Sequence, residues 1–202
     1  MNLLHIDGSI LGENSVSRQL SAAIVKRLTD ADPHLNVTYT DLGAAPLEHL
    51  SGAHLAANQG STPETPALQK DLAAGQKALD DFLAADVVVV GAPMYNFSVS
   101  SQLKAWIDRL AVAGKTFHYT ESGPEGLVGG KRVIIASSRG GFYGPESPGA
   151  ALDHQESYLR GIFSFFGIED VSFIRAEGVN LGPDQREAAL EAATAEVAKL
   201  AA

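Results

Sequence analysis

Three short stretches of this chain combine residue types that can do chemistry. The first, Ser9-Ile10-Leu11-Gly12-Glu13-Asn14-Ser15-Val16-Ser17, brings three hydroxyls and a loop up to what reads as a helix start. Unpaired N–H groups and the positive helix end favour a phosphate there. Neither Lys nor Arg lies between Ser9 and Ser17, so an anion would be held by neutral donors. The second stretch, Ala92-Pro93-Met94-Tyr95-Asn96-Phe97-Ser98, places flat side chains around an amide that can both donate and accept. Such a surface suits a planar, mostly apolar ring with a polar rim. The third, Ser138-Arg139-Gly140-Gly141, has two glycines where backbone can come close to a ligand. Each stretch alone is also what a serine-capped helix, a turn packed on the core or a flexible turn looks like. Their joint placement is what points to a shared site.

Other chemistries are excluded or unsupported. With no cysteine, the chain has no thiol nucleophile, thiolate metal site or disulfide. Gly126-Leu127-Val128-Gly129-Gly130-Lys131 has the flavour of a phosphate-binding P-loop, but it precedes a strand, and Arg132 stands where Ser or Thr would hold magnesium. No G-x-G-x-x-G follows the first strand, and neither G-x-S-x-G nor H-E-x-x-H occurs. The six histidines are scattered, and no metal is assigned. A net charge of −9, from 15 basic and 24 acidic residues, disfavours nucleic acid and anionic membrane as partners. No apolar run approaches the roughly 20 residues that span a bilayer. The N-terminus lacks the basic and long apolar regions of a signal peptide, so a cytoplasmic protein is expected.

The elements that must position the three stretches alternate along the chain. Leu3–Ile6, Val37–Thr40, Val87–Val90, Val133–Ala136 and Val171–Ile174 read as strands, the third a continuous valine run suited to the middle of a sheet. Helices are expected from a Ser15 cap, from Thr65-Pro66 to about Ala84, from Ser100 or Ser101, around the aromatic run Tyr158, Ile162, Phe163, Phe165 and Phe166, and over Asp184–Leu200. Residues 43–64 read as a surface excursion with one helical turn. The pattern predicts an α/β fold, flavodoxin-like, with a five-stranded parallel sheet of order 2-1-3-4-5 and helices on both faces. No repeat or linker divides it, so residues 1–202 are read as a single domain. In such a sheet ligands bind beyond the carboxyl ends of the strands, where the first, third and fourth strands run into the three stretches above.

At these residues the chain resembles the FMN-dependent NADH-azoreductases, also described as NAD(P)H:quinone reductases of flavodoxin-like fold. The resemblance covers essentially the whole length. It is most specific in Ala92–Phe97, Gln102-Leu103-Lys104, Asp108, Thr116–Leu127, Ser137–Gly141 and Ala176-Glu177-Gly178. It implies FMN as cofactor, with Ser9, Ser15, Val16 and Ser17 at the phosphate. Met94, Tyr95, Asn96, Phe97, Ser138, Arg139, Gly140 and Gly141 would line the isoalloxazine. It implies NADH or NADPH as donor, with hydride passing to flavin N5 and on to a quinone or azo compound in a ping-pong cycle. No catalytic side chain is assigned. Tyr119 is the first choice for touching substrate and Phe163 the second, though a helix-borne Phe163 or Phe166 reads more simply as core. Homodimers with the active site at the interface are also implied. Two features depart from the family pattern: Val16 at a position often polar, and the loop from Phe142 to Gly149. The rival expectations are a flavodoxin-like electron carrier and a non-catalytic FMN-binding stress or regulatory protein.

Overall fold

Alternate side chains of each apolar strand point to opposite faces of a sheet, and this chain buries both faces. The computed structural model describes residues 1–201. Strands β1 (Asn2–Asp7), β2 (Asn36–Asp41), β3 (Val87–Pro93), β6 (Arg132–Ser138) and β7 (Asp170–Ala176) pair in parallel in the order β2-β1-β3-β6-β7. Strands β4 (Phe117–Thr120) and β5 (Gly123–Gly126) form a separate antiparallel hairpin. With the hairpin set aside, the sheet has the expected 2-1-3-4-5 order. Its register aligns Ile6 with Val90, Val90 with Ile135, and Ile135 with Phe173.

Val87 and Val89 face one layer, made by helices α1 (Val16–Ala31) and α6 (Pro183–Ala198), where Leu20, Ile24, Ala189, Ala193 and Val197 are buried. Val88 and Val90 face the other, made by α3 (Pro66–Ala84), α4 (Ser101–Leu110) and α5 (His154–Phe165), with Phe82, Trp106, Leu159 and Phe163 inside. Helix starts sit where hydroxyl caps put them. Ser15, Thr65 and Ser100 accept from the backbone N–H groups of Arg18, Leu68 and Leu103, all at 3.2 Å. Each such cap stabilises its helix by about 1 kcal/mol.

Two parts of the fold differ from the sequence reading. The excursion at 43–64 contains a two-turn helix, α2 (Gly52–Asn58), rather than one turn. It is pinned from below: His54 Nε2 lies 2.9 Å from the Asp71 carboxylate, which is also held by the buried Arg109 guanidinium, and Arg109 Nη2 donates to the Glu48 carbonyl at 2.8 Å. The hairpin is the second difference. It seats on the end of α5 through Val128 N–H to Phe166 O (3.0 Å) and through the Phe117 and Phe165 rings, 4.6 Å apart. Gly126 makes this seat possible, since a Cβ there would lie 2.1 Å from the Gly167 nitrogen.

Candidate functional site

The carboxyl ends of β1, β3 and β6 deliver the three stretches to one edge of the sheet. Direct bonds tie them together. Gly8 N–H donates to Gly91 O (2.8 Å), Ser100 Oγ donates to Gly8 O (2.7 Å), and the Ser9 and Tyr95 hydroxyls meet at 3.1 Å. Met94 N–H donates to Ser138 O at 2.8 Å. Gln155, fully buried, donates to Ala92 O (3.1 Å) and accepts from Ser137 Oγ (2.8 Å), bracing β3 against β6.

Ser9, Ser15 and Ser17 are all buried at the start of α1, with Ser15 Oγ 3.1 Å from Ser17 Oγ. The first backbone N–H groups of a helix have no intrahelical acceptor, and among the described residues no other acceptor meets those of Val16 and Ser17. Arg18, one residue into the helix beyond Ser17, turns away to Asp41 (2.7 Å) and Tyr39 (3.0 Å), and Arg186 is engaged by the Asn14 carbonyl at 3.2 Å. What remains at the helix end is a nest of neutral donors, the chemistry a phosphate ester takes. Beneath it Asp7 is buried, accepting from Ser21 Oγ (2.7 Å) and Tyr39 OH (3.0 Å). Burial, then the Asp7 charge and hydrogen bond, push the Tyr39 phenol up to about 12. The Arg18 hydrogen bond holds the Asp41 carboxyl below its usual value.

The second stretch closes as a two-residue turn. Tyr95 and Ser98 exchange backbone bonds at 2.9 and 3.1 Å, and the residues between, Asn96 (φ 48°) and Phe97 (φ 70°), both take left-handed backbone. They are the described non-glycine residues with positive φ. Backbone strain of this kind is stored at ligand sites more often than elsewhere. Beside the turn opens a groove of about 650 Å³ that Ile10, Tyr95, Asn96, Lys104 and Tyr158 help to line. Burial, and then the Asp108 charge, raise the Tyr158 phenol to about 12.

The third stretch offers backbone alone. The Gly140 and Gly141 carbonyls accept from Asn180 (3.1 Å) and Gly178 (2.9 Å), while their N–H groups, with those of Asn96 and Phe97, meet no acceptor among the described residues. Ser138 is buried at the end of β6. The Arg139 side chain does not face a ligand as its place in the stretch suggests. It is wholly buried, donating to Ser137 Oγ (3.1 Å) and paired with Asp153 (3.0 Å), Glu177 (3.3 Å) and Glu156. Arg175 joins through Glu156 at 2.8 Å. Arg139 therefore fastens the loop to α5 and to the end of β7, and only its backbone is left at the surface of the site.

Phe163 is a correction. It is 0% exposed, packed with Phe82 and Phe166 at ring separations of 6.5 Å, so it is part of the core and cannot reach a ligand at the strand ends. Tyr119 is 74% exposed on the hairpin, edge-on to Phe117, and is not brought against the three loops of its own chain. The sequence reading missed the Asp7 and Arg139 clusters, whose members are remote in sequence. Alternation of acids with Arg139 carries no local signal. Among the described residues there is no group of three or more His, Asp or Glu placed to hold a metal, and no helix is long and apolar enough to cross a membrane.

A buried neutral nest at a helix start, next to two loops whose free N–H groups surround exposed flat side chains, fits a phosphate joined to a planar heteroaromatic ring. Comparisons with known proteins agree with that chemistry. A family model described as flavodoxin-like fold matches residues 1–201. The chain is 62% identical over 193 residues to FMN-dependent NADH:quinone oxidoreductase 2 of Bradyrhizobium diazoefficiens, covering 96% of this chain and 95% of that protein. It is 59% identical over 199 residues to the FMN-dependent NADH:quinone oxidoreductase of Sinorhizobium fredii, covering 98% and 96%. Among solved structures, it is similar to an FMN-dependent NADH-azoreductase from Bacillus anthracis in complex with FMN. The TM-score is 0.88 at 26% identity, over 98% of this chain and 96% of that one.

Proposed function

Since the chain belongs to the flavodoxin-like fold family, and within it to the FMN-dependent NADH:quinone oxidoreductases, we propose that it oxidises NADH and reduces quinones and azo compounds with FMN held in the three-loop site. The observation that carries this reading is the convergence of unpaired donors from three strand ends on one edge of the sheet.

Each residue then has a physical task. The Ser9, Ser15 and Ser17 hydroxyls and the Val16 and Ser17 N–H groups would hold the phosphate, the α1 dipole adding to their pull. Val16 serves through its backbone, so its apolar side chain is no loss. Met94, Tyr95, Asn96 and Phe97 would line the ring on one side and Ser138, Gly140 and Gly141 on the other. Bound FMN supplies the two-electron hydride chemistry that no side chain of this chain can provide. Donors from Asn96, Gly140 and Gly141 are fixed before any ligand arrives, so they stabilise negative charge on the ring edge without reorganisation. The Arg139 lattice acts as a positioning device, keeping the glycine N–H groups aimed outward.

One side of the site stays open in the single chain. Phe97 and Phe142 are exposed beside it, and Tyr119 is exposed on the hairpin away from it. A second copy of the chain would cover these rings, and we read the enzyme as a homodimer in which Tyr119 of the hairpin serves the neighbouring site. The whole chain acts as one cytoplasmic FMN-binding domain in this reading.

The test is spectroscopic. Purified protein mixed with FMN should show a bound-flavin spectrum that NADH bleaches and benzoquinone restores, and NADPH is run beside NADH to rank the donors. Bound flavin that no nicotinamide bleaches would instead indicate an electron carrier or a regulatory flavoprotein. Absence of flavin binding would refute the assignment altogether. Asn96→Ala should weaken FMN binding or slow turnover, and wild-type values of both would remove Asn96 from the site. Light scattering of the holoenzyme should give twice the chain mass.

A further inference from the structure

We propose that Tyr143 is a specificity-determining residue of this enzyme, its phenolic hydroxyl donating a hydrogen bond to a carbonyl oxygen of the bound quinone; the proposal rests on the flavin site described above. Tyr143 lies in the loop that departs from the family pattern, yet the structure holds it firmly. Its backbone N–H donates to Glu177 Oε1 at 2.8 Å, and the same oxygen accepts from the buried Arg139. Its ring passes between two glycines. A Cβ on Gly141 would lie 3.4 Å from the Tyr143 hydroxyl oxygen, and one on Gly149 would lie 3.0 Å from ring atom Cδ1. The ring also meets Phe97 edge-on, with centroids 6.0 Å apart. Tyr143 thus bridges the left-handed turn and the glycine loop, the two sides of the ring-binding surface.

Two neighbouring phenols are already engaged, whereas the Tyr143 hydroxyl, like that of Tyr158 in the groove, is not. The Tyr39 hydroxyl is bonded to Asp7 and the Tyr95 hydroxyl to Ser9. Among the described residues nothing bonds to the hydroxyl of Tyr143, although the residue is half-buried. A fixed, unpartnered donor at the edge of a site adds binding only for a ligand that presents an acceptor there. Quinones differ from other oxidants in presenting carbonyl oxygens around a flat ring.

Tyr143→Phe removes the hydroxyl and keeps the ring, so the fold and the Phe97 contact survive. In the holoenzyme we expect KM for benzoquinone to rise roughly two- to tenfold, the range one net hydrogen bond gives, with kcat little changed. Ferricyanide reduction should stay at wild-type rate, because that oxidant presents no carbonyl. Calorimetric binding of benzoquinone to the oxidised holoenzyme, with no donor present, should weaken by the same factor. FMN affinity, followed by quenching of flavin fluorescence, should stay within about twofold of wild type. An increased FMN dissociation constant would assign the hydroxyl to the cofactor and overturn the proposal, as would equal losses with both oxidants or no change with either. Wild-type protein that neither binds FMN nor oxidises NADH would refute the flavin assignment itself, and that result is read before any variant is made.

Discussion

Phe97 sits where most side chains are strained, and the strain has a measurable sign. In a two-residue turn closed by reciprocal bonds between Tyr95 and Ser98, both central residues need positive φ. Asn96 belongs to the types that tolerate this, whereas a bulky ring at φ 70° does not. The left-handed conformation costs an L-residue about 1–2 kcal/mol relative to glycine. Two variants isolate that term. Phe97→Gly and Phe97→Ala both delete the 40% exposed ring and its contact with Tyr143, so those losses cancel between them. Glycine recovers the strain, while alanine gains about 0.4–1 kcal/mol by restricting the unfolded chain. The balance favours Phe97→Gly by roughly 0.5–1 kcal/mol, equivalent to about 1–4 °C in Tm for a chain of this size. At an unstrained turn position the order would reverse. Thermal melts of the FMN-free variants decide the matter, and a Phe97→Ala protein as stable as Phe97→Gly would refute the reasoning. Both variants should also lose FMN affinity to a similar degree, because a ring retained in spite of strain is retained for what it touches.

Arg109→Ala should destabilise the fold by about 3–5 kcal/mol in urea titrations, since it removes the cation from the buried Asp71 carboxylate and leaves it with His54 and the Glu48 N–H. Gly91→Ala should lower stability by about 1–3 kcal/mol, because the new Cβ would lie 2.4 Å from Asp7 Oδ1 in a packed interior; an unchanged urea midpoint would contradict the close approach. Asp41 has its pKa lowered in the fold, first by the Arg18 hydrogen bond, so its contribution is present above the unfolded value and is lost as pH falls through the folded one. Asp41→Asn should therefore be less stable than wild type at pH 7, with the difference shrinking below about pH 4. Urea midpoints at the two pH values check this.

The sheet was legible because each strand is a run of apolar or β-branched residues, and because β3, Val87–Val90, can only be comfortable between two covered faces. Serine and threonine marked helix starts for a local reason, the reach of one side chain to an N–H three residues on. The β4–β5 hairpin escaped the pattern because Gly123, Pro124 and Gly126 carry no strand preference. It is held instead by its fit against Gly167 and Phe165. Phe163 shows a similar limit. Its spacing along α5 fixes the face it shares, and only the packing of Phe82 and Phe166 decides that this face is the core.

The site illustrates why loop positions are easier to read than loop roles. The stretch proposed to hold phosphate has no Lys or Arg and looks weak in a charge count, and Arg18, one residue beyond it, invites the opposite reading. In the fold Arg18 is committed to Asp41 and Tyr39, so under the proposed assignment the phosphate would be left to hydroxyls and backbone N–H groups. Arg139 is the counterpart: a cation within a stretch proposed to line the ligand, whose charge is consumed by Asp153 at the α5 cap, Glu156 in α5 and Glu177 just past β7. A backbone donor is contributed by any residue type except proline, so sequence identity at these positions reports on what anchors the loop more than on what the loop binds. The same logic makes Tyr143 informative. It is anchored through its backbone and its ring, which leaves the hydroxyl as the part of the residue that the fold itself does not use.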